Sequence, residues 1–377
     1  MLRGLNWGHR RARAPMDALA RALQADLGLQ VVWDQQTLGG FEHGLTASLA
    51  KAYDLIVFDH PFCGDIAAGE MFLPLDAWCS FLDEDDWIGR SLQSYRYEGK
   101  LWGLPVDGAT QACIYRPDLL DDGLPVDWDG VLALAGRLRR RDQWMVLPAL
   151  APHGILALMA LCANLGMPWP DQPAVSPCRR VLREAMSLLK RAFALAHPSS
   201  AAMNAIDAHD AMVGRDEWTY CPIAYVYLTY AEQDQRAPLR FGPFPGPAGH
   251  SKGSVLGGTG LGVSRWCREP DDAQALIAYL ADPQRQVRCF LPHHGQPAAA
   301  AAWAGADEDA AAYGAAFEAL RSTMEEAWVR PRFHRYIGWQ ARAGQATQAW
   351  LRGDLEDPAF EAHLVQSWQA IDHRAGS

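Results

Sequence analysis

The stretch Tyr53-Asp54-Leu55-Ile56-Val57-Phe58-Asp59 decides the fold, because four uninterrupted apolar residues end in a carboxylate that His60 and Pro61 follow. A short apolar run of this kind is typical of a strand that is buried on both faces of a parallel sheet. Two further strands are predicted before it, at Leu2–Trp7 and Leu29–Asp34, with a helix after each. This βαβαβ pattern predicts a parallel sheet covered by helices on both faces.

The two helices of this unit are predicted from their apolar spacing and their end signals. The first carries Met16, Leu19 and Leu23 on one face, has Pro15 near its start and ends at Gly28. The second is predicted over residues 42–52. Further along the chain, helices are predicted at 129–140, 154–165, 178–196, 270–281 and, in an alanine-rich segment, 298–316, and two or three more in the last sixty residues.

Two segments of the central region are predicted to contain strands. In the first, a turn and a short strand are predicted at 99–105 and a separate strand at Gln111–Arg116. Asp107–Gly108 is predicted to interrupt the chain between these two strands. Val255–Ser264 predicts a strand rich in glycine. Its run Gly257–Gly262 lacks the spacing of a phosphate-binding loop, so we interpret these glycines as positions where another backbone or a ligand comes close.

Composition limits the class of protein. The chain has 377 residues, of which 49% are hydrophobic, and a net charge of −10. This length predicts two lobes of roughly 150–200 residues each. The apolar fraction is too high for a disordered chain, and no apolar window is long enough to span a membrane. The acidic balance argues against a nucleic-acid partner and against an anionic membrane surface.

Cysteine usage and the N-terminus predict the compartment. The eight cysteines are scattered, mostly in apolar runs, and no C-x-x-C pair occurs. Unpaired buried thiols suit a reducing compartment. Met1 leads directly into the predicted strand without a signal-peptide pattern. We therefore expect a cytoplasmic protein, with a periplasmic location as the alternative if a leader has been removed.

Polar residues at the carboxyl ends of the predicted strands form the candidate site, because ligands of parallel sheets bind there. The alternative interpretation is ordinary turn and loop-capping chemistry. Trp7 and Tyr225 are candidates for an aromatic cleft wall. The candidate ligand-binding residues are Trp7, His9, Asp34, Asp59, His60, Asp107, Tyr225 and Thr259.

We expect neither a metal nor an organic cofactor. The pair His293–His294 and the segment Asp207–Asp210 lack the spacing and the third ligand that a zinc site requires.

Two ordered sets of motifs resemble a known family. Gly99–Gly108 reads G-K-L-W-G-L-P-V-D-G, and a tyrosine-bearing strand leads from it to Pro117-Asp118-Leu119-Leu120. Later, Gly257–Ser264 precedes the helix start Glu269–Ala273, and Arg330-Pro331 follows near the C-terminus. In this order the motifs resemble family 1 extracellular solute-binding proteins of ABC importers, over nearly the whole chain.

The resemblance implies a periplasmic-binding-protein-like α/β fold of type II, with two lobes that close on a ligand. It implies three interlobe crossings, near residues 107–112, 256–260 and 304–314. Lobe one is then 1–108 plus 259–308, and lobe two is 109–258 plus 309–377.

We expect a cytosolic small-molecule binder that closes on a polar metabolite between the lobes. One alternative is a cofactor-independent lyase, isomerase or hydrolase on the same scaffold, with His9, His60 and Asp59 as acid–base residues. Another is the binding subunit of an importer, although the lack of a leader argues against a permease partner. Ligand identity and oligomeric state stay open.

Overall fold

The computed structural model describes residues 1–121, 123–246, 252–304 and 313–371. Within these ranges the chain forms a mixed α/β structure. The strands are β1 Leu2–Trp7, β2 Val31–Gln36, β3 Leu55–Phe58, β4 Arg96–Tyr97, β5 Lys100–Leu101, β6 Leu104–Tyr115, β7 Trp144–Met145, β8 Trp218–Tyr225, β9 Arg240–Gly242 and β10 Leu256–Val263.

Helices surround these strands. Those before residue 200 are α1 Arg10–Leu27, α2 Leu38–His43, α3 Ala47–Ala52, α4 Cys63–Ala68, α5 Ser91–Ser94, α6 Trp128–Arg139, α7 His153–Asn164 and α8 Arg179–Leu195. Those after it are α9 Ala205–Gly214, α10 Pro270–Leu280, α11 Pro283–Phe290, α12 Gly314–Glu325, α13 Tyr336–Arg352 and α14 Asp357–Gln369. No helix among the described residues combines the length and the apolar character that crossing a membrane requires.

The main sheet has the strand order β2-β1-β3-β10-β6-β8-β7, and β9 also pairs with β6. Strands β1, β2 and β3 are parallel, as the βαβαβ pattern predicts. Strand β10 is antiparallel to both β3 and β6, with Gly260 opposite Phe58 and Thr259 opposite Asp107. The N-terminal unit is therefore extended by strands from two distant parts of the chain.

Strand β6 changes partners along its length. Residues 104–110 pair with β10, and residues 111–115 pair with β8. The first half of the sheet packs against α1, and the second half packs against α9 and, through β9, α12. The cleft described below lies where β6 passes from one set of partners to the other.

The structure corrects the prediction of a break at Asp107–Gly108, because β6 is one continuous strand of 12 residues. Pairing with β10 continues through this segment, with Asp107 opposite Thr259 and Gly108 opposite Gly258. The register shifts at the next residue, because Gly260 lies opposite Pro105, so the extra residue is Val106 of β6. Tertiary pairing thus overrides the local turn preference of the Asp-Gly pair.

Three helix predictions are also corrected. Helix α1 starts at Arg10 with His9 as its N-cap, so Pro15 lies inside the helix rather than at its start. The helix predicted over 42–52 is two short helices, α2 and α3, each capped by a threonine. Residues 300–304 form a 3₁₀ turn instead of the start of a long helix.

The glycine-rich strand β10 confirms the interpretation of close approach. A Cβ on Gly257 would lie 2.6 Å from the ring of Tyr225, and one on Gly260 would lie 2.5 Å from the ring of Tyr95. Gly258 has a φ of +92° and its Cβ would meet the carbonyl oxygen of Asp107. Only glycine fits these positions without a shift of the neighbouring aromatic ring or backbone.

The domain boundaries stay predictions. The first predicted crossing, at 107–112, coincides with the residues where β6 exchanges β10 for β8. The second, at 256–260, falls in β10. Most of the third, at 304–314, falls on residues 305–312, which lie outside the described residues.

Candidate ligand-binding cleft

A cavity of about 70 Å³ lies between the two halves of the sheet. It is bounded on one side by residues of β1, α1, α2 and the end of β3, and on the other by residues of α7, β8, α13 and the segment before α13. The lining residues are Trp7, Arg11, Leu38, Phe41, Glu42, Asp59, Ala109, Pro152, His153, Leu156, Tyr225, Tyr227, Gly257, Gly258, Thr259, Arg330 and Gln340.

Aromatic rings form one wall of the cavity. Trp7 ends β1, and its ring centroid lies 5.7 Å from that of Phe41 and 6.0 Å from that of Tyr227. These rings come from β1, from α2 and from the segment after β8, so the wall joins the two halves of the sheet. Such rings offer a flat apolar face together with a polar edge.

A buried ion pair stands in the same cavity. Nη2 of Arg330 donates to Oδ2 of Asp59 at 2.5 Å, and Nη1 donates to Oε1 of Gln340 at 3.3 Å. Burial alone would raise the pKa of Asp59, but the Arg330 guanidinium and the neighbouring His60 outweigh burial and lower it. Asp59 is therefore a carboxylate at neutral pH, held by a guanidinium from a segment 271 residues away.

A second buried pair lies beside the first. Nε of Arg11 donates to Oδ2 of Asp107 at 2.8 Å, its Nη2 bonds the other carboxylate oxygen, and its Nη1 donates to the carbonyl oxygen of Val226 at 2.8 Å. The guanidinium also lies over the ring of Tyr227, 4.9 Å from its centroid. Arg11 thus ties α1 to the segment that follows β8.

Glu42 is the third acidic group of the cleft. It lies on α2, its side chain is 23% exposed, and its Oε1 is 3.8 Å from Nε2 of His153. Burial, followed by repulsion from Asp59, raises its pKa to about 7, although Arg330 opposes the rise. Its charge therefore changes near neutral pH.

Several polar atoms of the lining have no hydrogen-bond partner among the described residues. They are Nε1 of Trp7, the hydroxyl of Tyr225 and Nε of Arg330. A buried polar atom without a partner costs about 1–3 kcal/mol. Three such atoms around one cavity fit a ligand that carries several hydroxyl groups.

The structure brings four of the predicted residues together in the cavity lining. They are Trp7, Asp59, Tyr225 and Thr259. Asp107 lines a smaller neighbouring cavity, of about 10 Å³, which it shares with Arg11 and Thr259. Its carboxylate is held by Arg11 instead of facing the main cavity.

The other three predicted residues do not line the cavity. His9 caps α1 and stacks on Trp7, with ring centroids 5.6 Å apart. Asp34 lies on the outer strand β2, where it accepts a 2.8 Å hydrogen bond from Arg3. His60 is fully buried and its ring faces that of Tyr95, with centroids 6.1 Å apart. Asp34 is thus part of an exposed ion pair within β2, and not of a turn or loop cap.

Of the three residues named for acid–base catalysis, Asp59 lines the cavity and the two histidines do not. Burial lowers the pKa of His60 to about 4, despite the carboxylate of Asp59 with its Oδ1 3.2 Å from Nδ1. Burial, with Arg11 and Arg10 nearby, lowers the pKa of His9 to about 4. Both imidazoles are neutral near pH 7, and neither lines the cavity. Asp59 is engaged by Arg330.

Sequence reasoning missed most of the polar lining. Arg330 belongs to the Arg-Pro motif but is not among the predicted site residues. Nothing in the local sequence marks Arg11, Glu42 or Gln340 as residues of a ligand site. Their positions depend on helix faces and on chain segments that meet only in the folded protein. The described residues contain no cluster of three or more His, Cys, Asp or Glu side chains arranged to hold a metal ion.

Comparison with known proteins identifies the fold. A profile described as bacterial extracellular solute-binding protein matches residues 18–316. No curated protein matches the chain by sequence. Among solved structures, maltose-bound T. maritima MalE3 is similar at a TM-score of 0.78 and 14% identity, covering 98% of this chain and 97% of its own.

Two further solved structures give the same result. A solute-binding protein of an ABC transporter from Thermotoga lettingae, bound to α-D-tagatose, has a TM-score of 0.82 and 15% identity, with 98% of each chain covered. One from Agrobacterium radiobacter K84, in complex with ribitol, has a TM-score of 0.77 and 17% identity, covering 97% of this chain and 96% of its own. The chain has the two-lobed α/β fold of these proteins, and it belongs to the bacterial extracellular solute-binding protein family.

Proposed function

We propose that this protein binds a small polyhydroxylated solute, of the sugar or polyol class, in the cleft lined by Trp7, Asp59, Tyr225 and Arg330. Similar structures are described as bound to maltose, α-D-tagatose and ribitol, which supports this class of ligand. The binding function itself follows from the family.

The observation that carries the proposal is the pairing of an aromatic wall with polar groups in one cavity. Trp7, Phe41 and Tyr227 supply flat apolar faces, and the ion pair of Asp59 with Arg330 supplies charged donors and acceptors. A sugar or polyol has the matching character, because its carbon skeleton packs on rings while its hydroxyls accept and donate hydrogen bonds. Hydrogen bonds to charged groups are the stronger kind.

We also propose that the two lobes close on the ligand. The cavity of about 70 Å³ is small beside the roughly 300–1,000 Å³ of typical ligand sites. Its walls belong to both halves of the sheet, so a wider opening admits the solute when the halves move apart. Such a movement would bend the chain between residues 110 and 111, where β6 changes its pairing partner from β10 to β8.

The compartment and the transport partner are separate proposals. All eight cysteines are free, and six of them are buried, which supports the cytoplasmic location predicted above. In that location the protein would hold or sense its solute without a permease. Fractionation of cells expressing the native gene tests this directly: the protein is expected in the cytosolic fraction, and recovery from the periplasm would favour an importer subunit.

A thermal-shift screen tests the binding proposal. Monosaccharides, disaccharides and polyols are added at millimolar concentration, and the hits are titrated by calorimetry. A solute present at 100 times its Kd stabilises the protein by about 2.7 kcal/mol, which is a clear rise in Tm. We expect at least one hit with a stoichiometry of one. A panel in which no sugar or polyol changes Tm would contradict the proposal.

A further inference from the structure

Arginines hold two of the acidic groups around the cleft, and the third is not held in this way. Arg11 is matched by Asp107 through two hydrogen bonds, and Arg330 is matched by Asp59. Each of these arginines is at most 4% exposed, so each pair is internal to the protein. The two pairs together contribute no net charge to the cavity, which leaves Glu42 to be accounted for.

Glu42 has no such partner. Within the part of the chain that the structure describes, its ion-pair contact is Nε2 of His153 at 3.8 Å, which exceeds hydrogen-bond distance. Asp59 repels Glu42, while the Arg330 guanidinium that attracts it is already bound to Asp59. Among the described lining residues, Glu42 is thus a carboxylate that no arginine holds, in contrast to Asp59.

Aromatic rings line the cavity together with this carboxylate. Phe41 precedes Glu42 on α2, and the rings of Trp7 and Tyr227 line the same cavity. The faces of aromatic rings attract a cation within about 6 Å, and a carboxylate next to them strengthens that preference. The cavity already contains one example, because the Arg11 guanidinium lies over Tyr227.

We propose that the solute carries a protonated amine that binds Glu42, so that the ligand is an amino sugar or an amino polyol instead of a neutral one. This inference rests on the proposed function and names the ligand class more narrowly. The ammonium group donates to the Glu42 carboxylate, as the Arg330 guanidinium donates to Asp59. The hydroxyl groups bond the ion pair of Asp59 with Arg330 and the hydroxyl of Tyr225.

The two ligand classes require opposite protonation states of Glu42. An ammonium group needs the carboxylate, so binding near pH 7 releases a proton from Glu42 and weakens as the pH falls. A neutral polyol offers Glu42 no cationic group, so its binding does not require the carboxylate and does not weaken as the pH falls. The other groups facing Glu42 are Asp59, Arg330, His153, Tyr225 and Tyr227, of which only His153 is of a type that normally titrates near this range.

The test is a calorimetric titration of the intact protein with sorbitol and with 1-amino-1-deoxysorbitol, between pH 6 and pH 8. We expect the amine to bind at least tenfold more tightly than sorbitol at pH 8, and to lose close to tenfold in affinity between pH 8 and pH 6. Glu42→Gln should abolish the preference for the amine. Glu318→Gln, at an exposed position of α12, should leave it unchanged.

Two further variants test whether the pH dependence of binding comes from Glu42 or from a nearby histidine. If Glu42 is the titrating group, His153→Gln and His43→Gln should both keep the preference for the amine and its pH dependence. Equal or tighter binding of sorbitol at pH 8, or an amine preference that survives Glu42→Gln, would overturn the inference and leave the proposed function intact. If neither compound binds and the sugar and polyol screen is also empty, the proposed function fails as well.

Discussion

Asp59 and Arg330 are 271 residues apart in the sequence, yet Oδ2 of Asp59 and Nη2 of Arg330 lie 2.5 Å apart in the cleft. Asp59 follows the N-terminal strand β3, and Arg330 belongs to the C-terminal segment that precedes α13. The pair therefore links the two walls of the cavity. The Arg330 side chain is 3% exposed and that of Asp59 is 18% exposed, so solvent screens the pair weakly.

Removing one member of this pair should destabilise the protein strongly. Asp59→Ala leaves the Arg330 guanidinium buried without its carboxylate, and we expect the free energy of unfolding to fall by about 3 kcal/mol. Chemical denaturation followed by circular dichroism measures the loss. The control is Asp34→Ala, which removes a carboxylate from an exposed pair with Arg3 and should cost far less. Equal losses in the two variants would contradict a structural role for the buried pair.

The hydroxyl of Tyr225 should matter for the ligand and not for the fold. It is buried without a partner among the described residues, so Tyr225→Phe should leave Tm unchanged or raise it slightly. If the hydroxyl bonds the solute, the same change should weaken binding about tenfold, equivalent to about 1.4 kcal/mol. Calorimetry with the best solute from the screen measures this effect.

Tyr220→Phe is the matched control for that experiment. Tyr220 lies on the same strand, its side chain is also buried, and it does not line the cavity. Its variant should bind the solute as tightly as the unmodified protein. A loss of affinity in both variants would show that the effect is transmitted through β8 and not through contact with the ligand.

Glu42 should make stability fall as the pH rises. Its folded pKa of about 7 lies above its ordinary value of 4.5, so between these values the folded state holds a proton that the unfolded state has released. Unfolding then releases a proton, and the stability that Glu42 contributes decreases by about 3 kcal/mol from pH 4.5 to pH 7. The measurement is the free energy of unfolding of the unmodified protein minus that of Glu42→Gln across this range. A difference that does not change with pH would contradict the burial of Glu42.

His60 should have the opposite pH dependence. Its folded pKa of about 4 lies below its ordinary value of 6.5, because burial disfavours the imidazolium. The unfolded state takes up a proton between these values, so the stability that a neutral His60 contributes is lost as the pH falls from 6.5 to 4. The expected loss is about 3 kcal/mol relative to His60→Gln. A chemical shift titration that shows His60 protonating near pH 6.5 in the folded protein would contradict this account.

Gly258 should tolerate no side chain. Its φ is +92°, and a Cβ there would lie 2.1 Å from the carbonyl oxygen of Asp107. We expect Gly258→Ala to lower the free energy of unfolding by about 2 kcal/mol or more. Gly39→Ala is the control, because a Cβ at that position of α2 meets no atom within 4 Å. If thermal denaturation shows the two variants to be equally stable, β10 does not pass β6 as closely as described.

The N-terminal unit could be predicted from sequence because each of its strands has an apolar pattern that is visible in the local sequence. Strand β1 has the predicted bounds, and the apolar run before Asp59 forms β3. The long strand β6 could not be predicted, since Asp107–Gly108 has the local preference of a turn and only the pairing with β10 overrides it. A single chain segment does not reveal which distant strand will lie beside it.

The site was predictable only in part, for the same physical reason. Asp59 and His60 both follow β3, but Asp59 lines the cavity while His60 is buried against Tyr95. The position of a residue at a strand end does not reveal which way its side chain points. Arg330 reaches the cavity from the segment after α12, and Gln340 reaches it from α13. The sequence near the N-terminal strands therefore does not indicate that these two residues belong to the site.

The central claim is that a small polar solute lies between the two lobes, in contact with residues from both. Amide hydrogen exchange with and without a saturating solute from the screen tests it most directly. The account predicts slower exchange in three segments that enclose the cavity, namely 38–43, 109–111 and 256–259. It predicts no change in the exchange rates of the surface groove between α8 and α14. Protection confined to that groove, or to one lobe only, would contradict it.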